Sequence, residues 1–127
     1  MAGMSSERPK SDSGAVLIET INGLPLAEIV DVPAWGHPTF RVGGKMFGGM
    51  DSEGTSCSLK ATKEHQQVLL ASDPETFYFP AYVGRHGWVG IVLGRVDPVE
   101  LRELVIDAWR ATAPKRVVTA WEAASGK

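Results

Sequence analysis

Residues 35–50 read WGHPTFRVGGKMFGGM, and this stretch decides the fold. Two short β-type runs, 39–42 and 45–48, flank the pair Gly43-Gly44. Two glycines between alternating runs predict a tight hairpin, because primed turns require positive φ at both loop residues. A two-residue loop also sets the register: Val42 opposite Lys45, Arg41 opposite Met46, and Phe40 opposite Phe47. Phe40, Val42 and Phe47 then share the core face, while Arg41 and Met46 project from the other.

Downstream, residues 49–54 read as a turn, and 55–61 alternate cleanly. Cys57, Leu59 and Ala61 fall on one face, with Ser56, Ser58 and Lys60 on the other, which predicts a half-buried third strand. Thr62 is placed to cap a helix running to about Ala71, where Asp73-Pro74 ends it. Residues 75–79 predict a short strand that Pro80 confines to an edge. Residues 88–96, WVGIVLGRV, are the most strand-like run. Val89, Ile91 and Leu93 point one way; Trp88, Gly90, Val92 and Gly94 point the other, and the glycines leave a shallow place for something to approach.

The last long helix has the clearest signals. Asp97 caps it, Pro98 takes its first turn, and Glu100 completes a D-x-x-E capping box. Leu101, Leu104, Val105, Ala108 and Trp109 make one apolar stripe, and Pro114 breaks the helix. Residues 115–123 predict a short terminal helix carrying Val117, Val118 and Trp121. Upstream of the hairpin, residues 24–34 read as an extended lead-in punctuated by Pro25 and Pro33. Before that, Ser13 as N-cap, the spacing of Leu17, Ile21 and Leu24, and the Asn22-Gly23 stop predict a first helix.

Residues 1–14 and 124–127 are expected to be disordered tails around one domain spanning 15–123. The expected order is α-β-β-β-α-β-β-α, an α/β (α+β) two-layer sandwich on an antiparallel sheet of about five strands.

With 13 Lys and Arg against 15 Asp and Glu, the net charge is −2, so bulk attraction to nucleic acid is absent and any such binding needs a local basic patch. The single cysteine, Cys57, cannot form an internal disulfide and fits a reducing, cytoplasmic setting. No run is long and apolar enough to span a membrane, and no signal-peptide core is evident at the N-terminus.

The set WGxPTF, GGKMF, SLK, the Trp88-Val89 strand and DAW…APK resembles the MmcQ/YjbR-like family of small bacterial proteins, over roughly residues 17–118. The resemblance implies a two-layer α/β fold in a cytoplasmic protein. That fold is similar to the double-wing DNA-binding region of a phage transcription factor, on which ground the family is commonly labelled DNA-binding. Matching positions are Trp35, Gly36, Pro38, Lys45, Met46, Phe47, Lys60, Tyr82, Trp88, Trp109 and Lys115. Gly48-Gly49 departs from the small-then-apolar pair expected there, so the second hairpin strand is expected to end early.

The chemistry-bearing residues do not assemble into a catalytic set. Cys57 lies on the core face without a base, as a buried small hydrophobe does. His37, His65 and His86 lack the spacings of a metal site. Glu103 and Asp107 suit a solvated helix flank, and GGK lacks the P-loop frame, with Met46 where the hydroxyl belongs. No cofactor is expected, and the chain reads as non-enzymatic.

What remains is the sheet face away from the core, where Arg41, Met46, Ser56, Ser58, Lys60, Trp88 and Val92 are expected together. Lys45 sits on the opposite face near the hairpin tip, with a stem long enough to reach around the edge. Cations interleaved with an indole suit a nucleic acid, with Arg41, Lys45, Lys60, Arg85, Lys115 and Arg116 on phosphates and Trp88 stacking a base. The same composition suits a protein interface or homodimer. A third possibility is that the terminal helix or the 82–87 loop covers this face and Trp88 is ordinary core. An enzyme or small-molecule binder would need a deep pocket near Trp35, Tyr82 and His86.

Overall fold

A computed structural model describes residues 13–125, Pro33 and Trp35 excepted. Its elements in order are α1 (Ser13–Asn22), β1 (Ala27–Val32), β2 (His37–Val42), β3 (Lys45–Met50), β4 (Ser56–Leu59), α2 (Lys63–Ser72) and β5 (Phe77–Tyr78). A 3₁₀ turn (Gly84–His86), β6 (Val89–Val92), α3 (Pro98–Thr112) and α4 (Lys115–Ala124) complete it. The strands form one antiparallel six-stranded sheet in the order β1-β2-β3-β4-β6-β5. The two-layer α+β architecture is therefore as expected, with one strand more.

The hairpin is present, with Gly43 at φ 58° and Gly44 at φ 81°, both in the region that favours glycine. Val42 faces Lys45 and Arg41 faces Met46, as read from the loop length. The next pair differs: Phe40 faces Gly48, not Phe47, because the ladder slips by one residue between Phe40 and Arg41. Phe47 is the extra residue of a β-bulge. Phe40 and Phe47 both remain in the core, their ring centroids 6.3 Å apart. A Cβ at Gly48 would lie 2.8 Å from the Ser58 carbonyl oxygen and 2.9 Å from Cδ2 of Phe40, so this position accepts only glycine without local movement. The strand does not end early there; Gly48, Gly49 and Met50 continue it by pairing with β4.

The added strand is β1, which occupies most of the stretch read as an extended lead-in. Pro25 and Pro33 flank it rather than interrupt it, and every β1 residue pairs with β2 at the sheet edge. At the other edge, β5 is only two residues long, and β6 stops at Val92 rather than Val96.

The helices cover the face carrying Phe40, Val42, Phe47, Cys57, Leu59, Val89 and Ile91, all buried. From α3, the whole stripe Leu101, Leu104, Val105, Ala108 and Trp109 is buried against them, and α1 adds Leu17 and Ile21. Capping follows the sequence: Thr62 Oγ1 accepts from His65 N–H at 3.1 Å, and Asp97 Oδ2 accepts from Glu100 N–H at 3.2 Å. Ser13 is the exception. It is the first residue of α1, and its buried hydroxyl donates to the Val96 carbonyl at 3.1 Å, tying the helix to the segment before α3. Thus α1 starts two residues before the expected domain boundary. The remainder of the expected N-terminal tail, and residues 126–127 of the C-terminal one, lie outside the described residues. No helix among the described residues is long and apolar enough to cross a membrane.

Asp51 organises the β3–β4 turn. Its Oδ1 accepts from Thr55 N–H at 2.7 Å and Ser56 N–H at 3.2 Å, and its Oδ2 accepts from the Thr55 hydroxyl. Burial pushes this carboxyl up, but the Thr55 hydroxyl and the Ser56, Thr55 and Gly54 N–H groups outweigh it and hold it below its ordinary 3.8. A depressed carboxyl contributes stability above its unfolded value and loses it as pH falls through the folded one. Asp51→Asn is expected to lose about 1 kcal/mol, kept small by solvent screening. In urea titrations the gap between variant and parent should be open at neutral pH and close below about pH 4. A gap that persists unchanged into acid would exclude the charge as its source.

Candidate functional site

The sheet's second face is half roofed. Arg41, Met46, Gly49, Ser56, Ser58, Gly90 and Val92 lie on it by strand alternation, and residues 79–88 fold back across its β5–β6 end. Between this loop and strands β2 to β4 runs a groove of about 380 Å³, lined among others by His37, Thr39, Met46, Ser58, Tyr82 and Trp88. It adjoins a second hollow of about 440 Å³ that shares His37, Gly49, Ser58 and Val83 and reaches Ser56 and Tyr78.

The loop is held down from the helical side. Gln66 is 2 % exposed, and its Nε2 donates to the Gly84 carbonyl at 2.9 Å and the Trp88 carbonyl at 2.6 Å. At the loop's start, the Tyr78 ring lies over Gly90, where a Cβ would meet it at 2.3 Å. The shallow place expected at Gly90 is therefore filled by Tyr78, while Gly94 lies beyond the strand in a turn. Tyr82, at the groove's mouth, is 90 % exposed and adopts φ 66°. A bulky residue in the left-handed region, with its ring in solvent, is a strained arrangement of the kind that collects at binding sites.

The expected site residues are only partly gathered here. Arg41 is on the face, its Nε donating to Thr39 Oγ1 at 3.1 Å while that hydroxyl donates to the Val30 carbonyl at 2.9 Å. Among the described residues no carboxylate lies within 4 Å of its guanidinium. Lys45 is exposed at the hairpin tip, and Lys115 and Arg116 are exposed at the start of α4. These lie at the same end, since a Cβ on Gly43 would sit 4.0 Å from Cδ of Pro114. Arg85 is exposed on the 3₁₀ turn of the loop.

Two placements correct the sequence reading. Trp88 is only 9 % exposed: it lines the groove but lies under the loop, so its ring is not a free stacking surface. Lys60 is not on this face, because β4 ends at Leu59 and the alternation stops with it. It lines a cleft between α2 and α3 instead, with His65, Asp107 and Arg110. Trp35 lies outside the described residues, and His86 is exposed and does not line the groove.

Gln66 and His37 were missed as contributors. Gln66 had a signal, since it lies three residues before buried Leu69 and so on the inward side of α2. Cys57 is buried as read, and burial followed by the nearby Asp51 pushes its thiol up to about 12, so it is no nucleophile at neutral pH.

The fold is similar to the crystal structure of Deinococcus radiodurans protein DR2400, with the domain DUF419. The two align with a TM-score of 0.69 at 22 % identity, over 75 % of this chain and 74 % of that one. At such identity the likeness is one of fold. No curated protein matches the chain. The family model described as YjbR matches residues 23–111, from the end of α1 into the last turn of α3, and the chain therefore belongs to the YjbR family.

Proposed function

We propose that this protein is a non-enzymatic binder of nucleic acid that holds a single strand along the groove on the second sheet face. The observation that carries this reading is Tyr82, an exposed aromatic at the mouth of a mainly apolar groove, with the guanidinium of Arg41 on the same face, which makes no ion pair among the described residues although Glu28 is its cross-strand neighbour. Tyr82 takes the stacking role first expected of Trp88. Arg41 on the face, Lys45 at the hairpin tip and Lys115 and Arg116 beside it form a run of cations for phosphates, and Arg85 supplies another on the loop. Stacking on an aromatic is worth about 1–3 kcal/mol per base and tolerates any sequence. The likeness to the double-wing DNA-binding fold points to DNA, as fold analogy.

Fluorescence anisotropy with labelled single- and double-stranded oligonucleotides, from about 20 to about 200 mM salt, tests this. Affinity should fall as salt rises and favour the single strand. Tyr82→Ala should weaken binding by about 1–3 kcal/mol, roughly 5- to 150-fold, with the salt slope unchanged. Absence of binding at low salt, or binding indifferent to salt, defeats the proposal.

One observation favours a second reading, a protein interface. Tyr78, Phe79 and Tyr82 are all exposed within five residues of the same loop, and exposed aromatics are enriched at protein contacts. Light scattering separates the two: a stable dimer that Tyr82→Ala dissociates, with no oligonucleotide bound, selects the interface.

A further inference from the structure

The cleft that receives Lys60 lies on the helical side of the molecule, apart from the groove. It encloses about 360 Å³, with Lys60, Thr62 and His65 on one wall, Asp107 and Arg110 on the other, and Val89 and Leu104 at its base. Val89 and Leu104 belong to the buried core, so the floor beneath this opening is apolar, with Leu104 the slightly exposed part of it. Its volume is within the range of small-ligand sites, about 300–1,000 Å³.

The charges on the two walls are not equivalent. Asp107 accepts from Arg110 at 3.2 Å, and Arg110 also pairs with Glu122 at 2.8 Å while lying 5.9 Å from the Trp121 ring centroid. That wall is engaged with itself. On the opposite wall, the Lys60 ammonium has no carboxylate within 4 Å among the described residues. An ammonium without an ion-pair partner beside an apolar floor suits a molecule with an apolar body and one anionic end. A single such cation matches one negative charge better than the nearly two of a phosphate monoester.

We propose that this cleft is a small-molecule site for a monocarboxylate with an aromatic or branched apolar body. The carboxylate is held by Lys60, and the body lies on Leu104, above Val89. This site is independent of the groove, and either can exist without the other.

The test is a titration of 1-naphthoate into ¹⁵N-labelled full-length protein, alongside the neutral analogue 1-naphthalenemethanol. Saturable shifts are expected at the amides of Ala61, Thr62, His65 and Ala111. Affinity should drop about tenfold or more for the alcohol and for Lys60→Met, and binding should vanish when Ala111→Phe fills the mouth. The spectra themselves report whether each variant is folded, and the acid-against-alcohol comparison on the unaltered protein decides the matter without any variant. No saturable shifts up to about 10 mM, equal binding of acid and alcohol, or retained binding in folded Ala111→Phe protein overturns the proposal.

Discussion

Trp109→Ala is expected to lose about 3–5 kcal/mol of folding stability, the range for removing a large aromatic from a packed core. The side chain is 0 % exposed, so the substitution leaves a cavity that its neighbours fill only in part. It also cuts two ties. The Trp109 Nε1–H donates to the Pro25 carbonyl at 3.0 Å, fixing the connection between α1 and β1. Its ring meets Trp121 edge-on with centroids 5.2 Å apart, which anchors α4 to α3. Guanidinium titrations followed by far-ultraviolet circular dichroism give the loss. Trp109→Phe should recover most of it, falling short by about 1 kcal/mol for the missing hydrogen bond. A loss below about 1 kcal/mol for the alanine variant would mean that α4 and the α1–β1 connection are held elsewhere.

Gln66→Leu is expected to lose about 2–3 kcal/mol despite the similar volume of leucine. The cost falls unevenly on the two carbonyls that Gln66 serves. The Gly84 oxygen keeps the Gly87 N–H, which donates to it at 2.9 Å, whereas the Trp88 oxygen loses its side-chain donor inside the protein. An orphaned buried acceptor incurs about 1–3 kcal/mol in desolvation. Because the two bonds are what tie residues 84–88 to α2, the consequence is local as well as global. Amide exchange should quicken at the 3₁₀ turn and at Trp88 while β2 and β3 stay protected. If Tyr82 binds a nucleic acid from a loop held in place, the same variant also weakens that binding. Unchanged exchange across residues 84–88 would show that Gln66 does not hold the roof of the groove.

The segments legible in the sequence are those whose determinants are local. The hairpin needed only two adjacent glycines, and α3 needed its Asp97 cap and an apolar stripe at helical spacing; both form as read. The strand β1 escaped because the prolines near it in sequence resemble interruptions, whereas residues 27–32 between them pair with β2 without a break. The bulge at Phe47 escaped for a related reason. Loop length sets the pairing next to the turn, but the slip at Phe40 brings Gly48 opposite it, where the β2 and β4 neighbours leave no room for a Cβ.

For the site the division is sharper. Residue types were readable from the chain alone: cations, hydroxyls, a few aromatics and no assembled nucleophile. Which side chains share a surface depended on where β4 stops and where the loop before β6 folds back, and no local pattern encodes either. A strand that ends two residues sooner sent Lys60 to the helical layer, and a glutamine donating to two carbonyls put the loop over Trp88. Local steric preference and hydrophobic period thus determined the elements and their inward faces. Long-range hydrogen bonds and packing decided which aromatic and which cations meet on the open one.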